Sequence, residues 1–154
     1  MRAKHDRVYR LGIMGSRMAE NLLNSGYSLI VYNRTKEKAE PLLQKGAKWA
    51  NSPKEAAEQS DVIFTMLANP QAVETMALKE HGFLPYLSAG KLWVDCSTVD
   101  PAFTRKMAAK CAERGIRFID APVAGSKLPA EKGELVFLSA AAKKMSTKSV
   151  RCFM

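Results

Sequence analysis

Cysteine is scarce in this sequence: Cys96, Cys111 and Cys152 are all there is, and none stands in a CxxC pair. Three thiols leave an odd one over, which argues against a disulfide framework and for reduced thiols. Histidine is scarcer still. His5 and His81 have no Cys or second His at ligand spacing, so no metal is expected and neither imidazole is a catalytic candidate. Long apolar runs are missing too: the longest, "VIFTMLA" and "SLIVY", fall far short of the roughly 20 residues that cross a bilayer, so a soluble chain with no membrane partner is expected. The start, "MRAKHDRVYR", lacks the apolar core and small-residue cleavage site of a secretory signal, and a cytoplasmic address is the simplest reading.

Acidic residues are also in deficit, 15 against 24 lysines and arginines, for a net charge of +9. The excess is concentrated at the ends. Residues 1–10 carry +3 and residues 140–154 carry +4, which leaves only +2 on the body. Neither basic end interleaves aromatic residues with its charges, as single-strand binders do, so nucleic acid is not the expected partner.

What is present is a chain of 154 residues, 47 % hydrophobic, long enough for one domain with a real core. Its text alternates between helical and strand-like segments. "MGSRMAENLLNSGY" has helical spacing and ends at Gly26; "SLIVYN" reads as a buried strand. "TKEKAEPLLQKG" is amphipathic, with Pro41 either kinking it or marking a short first turn. "SPKEAAEQS" opens a helix with a Ser cap, a proline and a glutamate three residues after the cap. Strands follow at "DVIFTML", "KLWVDC" and "RFIDAPV", separated by helices at "NPQAVETMALKE" and "DPAFTRKMAAKCAERG", and "ELVFLSA" reads as one strand more. Units of roughly 25 to 35 residues of this kind make right-handed βαβ crossovers. The expected fold is α/β: Rossmann-like, doubly wound, with a mostly parallel sheet and helices on both faces, over residues 1–139. Residues 1–7 are read as an irregular basic start and residues 140–154 as a basic tail that leaves the pattern.

"RLGIMGSRMAENLL" approaches the glycine loop of dinucleotide-binding domains, whose three glycines serve a tight turn, close approach to the pyrophosphate and helix–strand packing. Gly12 and Gly15 fill the last two places, whereas Arg10 replaces the first. At the end of the second strand, about 20 residues on, an acid would read the ribose 2′-hydroxyl of NAD. Here stands "YNRT". Asn33, Arg34 and Thr35 offer amide, guanidinium and hydroxyl donors to a 2′-phosphate, which points to NADP.

Taken together, "LGIMGSRMAENLL", "VYNRT", "DVIFTMLANPQAVE", "VDCSTVDP" and "DAPVAGSKLPAEKGEL" resemble the β-hydroxyacid dehydrogenases, relatives of 3-hydroxyisobutyrate and 6-phosphogluconate dehydrogenases. The resemblance is strongest to the glyoxylate and succinic semialdehyde reductase branch and covers about residues 8–140. It implies NADPH as cofactor and a small carboxylate-bearing aldehyde or keto acid as substrate. By the same resemblance Leu11, Gly12, Ile13, Met14 and Gly15 face the pyrophosphate. Asn33, Arg34 and Thr35 surround the ribose phosphate. Met66, Leu67 and Ala68 line the groove, with Thr98 near the nicotinamide. Ser97 lies near the substrate, and Pro122, Val123, Ala124, Gly125 and Ser126 form a turn whose N–H groups receive the substrate carboxylate.

Three departures set further expectations. Asp6, Arg7 and Arg10 fall in an opening strand that is usually buried on both faces, so that strand is expected to be distorted or absent. The text leaves the family pattern soon after "LVFLSA". The family's helical domain, with its catalytic lysine and an asparagine four residues on, has no counterpart, so no catalytic residue is assigned. The chain reads as the NADP-binding half of an oxidoreductase, inactive alone, with the face left uncovered by the helical domain available for a homo-oligomer. The alternative is a non-enzymatic Rossmann module that binds a nucleotide or a protein partner.

Overall fold

Three dipeptides, Ser52-Pro53, Asn69-Pro70 and Asp100-Pro101, show how the sequence writes helix starts into this fold. In the computed structural model, which describes residues 7–10 and 12–141, each polar side chain accepts from the backbone N–H three residues on: Ser52 from Glu55, Asn69 from Ala72 and Asp100 from Phe103. Each proline takes a first-turn position whose N–H would have no helical partner. They start α3 (Pro53–Glu58), α4 (Pro70–Leu78) and α5 (Pro101–Ala112).

The remaining elements are β1 (Arg7–Arg10), α1 (Ile13–Asn24), β2 (Leu29–Tyr32), α2 (Glu40–Gln44), β3 (Lys48–Trp49), β4 (Val62–Thr65), β5 (Leu92–Asp95) and β6 (Arg117–Asp120), then β7 (Val123–Ala124), α6 (Lys127–Lys132), β8 (Val136–Phe137) and β9 (Ala140–Ala141). The main sheet runs β3-β2-β1-β4-β5-β6-β9, all parallel except the last pair. This is the doubly wound order, with its switch point between β1 and β4.

Alternation along each strand feeds two cores. Ile30, Ile63 and Trp93 turn to the face covered by α3, α4 and α5, where Ala57, Val73 and Met107 are fully buried. Val31, Phe64 and Val94 turn to the other face, against Met18 and Ala19 of α1 and Leu42 of α2. Burial on both faces explains why these strands read as continuous apolar runs.

Two expectations need correction, one is decided between its alternatives, and two elements are added. The opening strand is neither distorted nor absent: β1 sits at the centre of the sheet and pairs in register with both β2 and β4. Arg7 and Arg10 are its first and last residues, so only Val8 and Tyr9 occupy its interior; Asp6 lies outside the described residues. At Pro41 the second of the two readings holds: a 3-10 turn, Lys36–Ala39, runs into α2, with the proline in the first turn of α2. "ELVFLSA" is two strands rather than one, β8 on a small hairpin ladder with β7 and β9 on the edge of the main sheet, two residues past the boundary read at 139. Finally, β3 and α6 were not anticipated; α6 is tied to α1 by Asn21, whose Nδ2 donates to the Ala130 carbonyl at 2.7 Å.

Candidate dinucleotide-binding site

The site begins with a helix start that differs from the three above. Gly12 precedes α1 and supplies no side-chain cap, and the first turn holds no acid. The N–H groups of that turn are therefore left to an outside acceptor. A Cβ built on Gly12 would meet no atom within 4 Å, so the space before the helix is open, while Gly15 is buried inside the first turn. Ile13 is 71 % exposed at the helix start and Met14 is half-buried. Leu11 and the side chain of Arg10 lie outside the described residues.

Beside this helix start a cleft of about 210 Å³ opens at the carboxyl ends of β2 and β4. Gly12 lines it with Asn33, Arg34 and Thr35 on one side and Met66, Leu67 and Ala68 on the other. Asn33 is buried, and its Nδ2 donates to the Thr35 carbonyl at 2.9 Å, which shapes the turn so that Arg34 and Thr35 stand exposed in the cleft. Lys38 completes the lining. Sequence reasoning passed over this lysine, which lies on the 3-10 turn Lys36–Ala39 that follows Arg34 and Thr35. Among the described residues the lining thus holds two cations and no carboxylate. A complete small-molecule pocket runs to roughly 300–1,000 Å³, so the cleft accommodates one end of a dinucleotide rather than the whole.

The β4, β5 and β6 ends continue the edge. Ser97 is fully buried; its Oγ accepts from the Leu67 N–H at 2.9 Å, and its own N–H donates to Asp95 Oδ1 at 3.1 Å. It thereby fastens the loop after β4 to the loop after β5, leaving Thr98 as the exposed hydroxyl. Thr65 Oγ1 donates to Asp95 Oδ1 at 2.8 Å and accepts from Trp93 Nε1 at 2.8 Å. Burial pushes the Asp95 carboxyl up from the usual range, and nearby Asp120 adds to this; burial raises Asp120 as well. The buried Cys96 and Cys111 thiols are likewise raised by burial, Cys111 to about 12.

Residues 122–126 are not a free turn. Val123 and Ala124 pair with Phe137 and Val136, and Gly125 turns the chain at φ +136°, where a Cβ would come within 2.7 Å of Leu135 Cδ2. Ser126 then leads into α6 without a side-chain cap. The segment begins two residues after Asp120, as Ser97 lies two residues after its register partner Asp95, so the two loops leave neighbouring strands side by side.

A larger groove, about 450 Å³, lies on the outer side of α1, but Glu20 and Glu131 line it. Both acids already face cations: Arg17 Nε donates to Glu131 at 2.7 Å, and Lys45 to Glu20. Arg17 and Lys38 line it too, so that groove carries both signs of charge, unlike the cleft beside Gly12.

An open crevice at the switch point, an uncapped helix pointing into it and a polar turn after β2 together define an NAD(P)-binding Rossmann domain. The chain belongs to the family described as the NAD binding domain of 6-phosphogluconate dehydrogenase, whose sequence model matches residues 8–154. It is 43 % identical over 139 residues to glyoxylate/succinic semialdehyde reductase 2, chloroplastic, of Arabidopsis thaliana, covering 90 % of this chain and 39 % of the reductase. It is 36 % identical over 143 residues to the human cytokine-like nuclear factor N-PAC, covering 93 % of this chain and 26 % of that protein. Among solved structures, Psf3 in complex with NADP+ and 2-OPP superposes with a TM-score of 0.90 at 28 % identity, over 96 % of this chain and 52 % of that one. The chain therefore spans about half of that structure and less than half of these two relatives. Among the described residues no helix is long and apolar enough to cross a membrane.

Proposed function

We propose that the cleft binds NADP(H) in preference to NAD(H), as the cofactor half of a reductase acting on a small carboxylate-bearing aldehyde or keto acid. The carrying observation is the lining itself: Arg34, Thr35 and Lys38 share a cleft with Gly12 and, among the described residues, with no carboxylate. A 2′-phosphate there gains two cations and meets no repulsion, whereas the 2′-hydroxyl of NAD finds no carboxylate to donate to. Leu11, Gly12, Ile13, Met14 and Gly15 take the pyrophosphate. Met66, Leu67 and Ala68 carry the path toward Ser97 and Thr98, and the loop of residues 122–126 takes the substrate carboxylate. NADP, when bound, supplies or accepts the hydride.

Two comparisons support the reading: the reductase that is 43 % identical is named for glyoxylate and succinic semialdehyde, and the Psf3 structure holds NADP+. The test is binding of the isolated phosphate-bearing end. 2′,5′-ADP is expected to bind at least tenfold tighter than 5′-AMP, about 1.4 kcal/mol, by titration calorimetry. Equal binding rejects the assignment.

These 154 residues alone are proposed not to turn over, because the chain covers 39 % of the reductase. Lys127, the lysine adjoining residues 122–126, is exposed and stands 3.9 Å from Glu131. A cytoplasmic address fits the two free, buried thiols of Cys96 and Cys111.

A second reading, a binding module without catalysis, is favoured by two observations. A relative named as a nuclear factor carries the same domain. Leu128, Val136 and Leu138 also stand 57 %, 57 % and 62 % exposed on and around α6 and β8, an apolar face available to a second copy or another domain.

A further inference from the structure

Beneath the loops of the site lie two carboxyls. Asp95 ends β5 and Asp120 ends β6, and the two are register partners in adjacent parallel strands, whose backbones run about 4.8 Å apart. Two positions earlier Trp93 and Phe118 are also register partners, and their rings meet at 4.9 Å. Side chains two apart on a strand share a face, so both carboxyls project to that same side.

Each carboxyl is only half answered. Asp95 Oδ1 accepts from Thr65 and from the Ser97 N–H, whereas its Oδ2 is buried with no partner. Asp120 Oδ2 has a long 3.4 Å contact from the Thr104 hydroxyl of α5, whereas its Oδ1 is buried with no partner. The groups facing them are Thr65 from β4, Cys96 and Ser97 beyond β5, and Thr104 from α5; among the described residues no lysine, arginine or histidine pairs with either acid. Asp95 is buried and Asp120 half-buried with its Oδ1 shielded, and two adjacent negative charges so placed without a cation are a costly arrangement. One proton removes it, turning one unanswered oxygen into a donor for the other.

We propose that Asp95 and Asp120 share a single proton at neutral pH and act as a positioning pair that clamps the ends of β4, β5 and β6 under the cofactor and substrate loops. The clamp runs from Thr65 through Asp95 to Asp120, and from Asp95 through Ser97 to the backbone of Leu67, which lines the cleft. Its effect on cofactor binding rests on the reading of the cleft given above; the shared proton does not.

Infrared spectroscopy of the full chain at pH 7 tests the proton directly. The unsubstituted protein is expected to show the carbonyl stretch of one protonated carboxyl, and both Asp95→Asn and Asp120→Asn are expected to lose it, because an amide donor then answers a lone carboxylate. Absence of the band in the unsubstituted protein, or its survival in either variant, overturns the shared proton. For the clamp, Asp120→Asn is expected to keep NADPH affinity within about twofold and Asp120→Ala to lose about tenfold. An Ala variant that binds as tightly as the Asn variant overturns the positioning role; if the Ala variant does not fold, Asp120→Ser takes its place with the same expectation. Failure of the unsubstituted protein to bind NADPH would reject the cofactor reading and leave the infrared result to decide the pair.

Discussion

The two ends of the sheet's carboxyl edge follow opposite rules. At the β1, β2 and β4 end, donors are left unanswered: α1 starts without a side-chain cap, and Arg34 and Lys38 stand in an open cleft. At the β5 and β6 end, polar groups are tied to one another rather than left open to a ligand, with Asp95 and Ser97 knitting the loops together and one buried oxygen each of Asp95 and Asp120 unanswered. The contrast extends to the helices, since α3, α4 and α5 are each capped by their own Asx or Ser side chain. Donors left free at the start of α1, against the capped starts of α3, α4 and α5, separate a binding surface from the frame that supports it.

The largest blow to the frame is Trp93→Ala. Trp93 is fully buried, stacks edge-on against Phe83 and Phe118, and donates to Thr65 of the polar row. A loss of about 3–5 kcal/mol in urea unfolding is expected; a loss below about 1 kcal/mol would mean the row and core are not coupled as described.

On the cleft side, Arg34→Ala is expected to weaken NADPH by about 1–3 kcal/mol, the scale of a lost charge-assisted contact, while leaving NADH and the urea midpoint nearly unchanged. Equal losses for both cofactors would place Arg34 on a group that they share.

A pH series sharpens the contrast further. The Asp95 and Asp120 carboxyls are raised in the folded state by burial. Their contribution to stability is full below the ordinary aspartate range and is lost as pH rises through the raised value, because the folded state then holds the extra proton more tightly than the unfolded one. The urea midpoint is expected to fall with rising pH above about 4, at up to about 1.4 kcal/mol per pH unit for one proton, and to flatten in Asp120→Asn. A midpoint that rises over this range contradicts the assignment. The smallest effect concerns the thiols: Cys96 and Cys111 should resist alkylation at pH 8 in native protein and react once urea unfolds it, as thiol titration with a chromogenic disulfide will show.

How much of this was legible in the sequence follows the same division. Helix starts, the glycine turn and the "NRT" turn are local, each spelled by residues within a few positions of one another, and the cleft follows because parallel strands deliver their carboxyl ends to one edge. Lys38 was not legible, because it reaches the cleft only through the way the 3-10 turn Lys36–Ala39 folds back after the "NRT" turn. The Asp95–Asp120 pair was not, since it exists only through the register of β5 on β6, and residues 25 apart in the chain give no periodic signal. The opening strand was misjudged because the arginines were counted along the segment rather than placed at its two ends. The short ladders β7–β8 and β6–β9 escaped for a related reason: two-residue strands carry too little pattern to read.

The central claim is that the cleft at the β2 end selects the 2′-phosphate. Calorimetric titration of the purified chain with NADPH and NADH in one low-salt buffer tests it most directly. Binding of NADPH at least tenfold tighter, with the difference shrinking as salt screens Arg34 and Lys38, is the predicted result; equal affinities, or tighter binding of NADH, would contradict it.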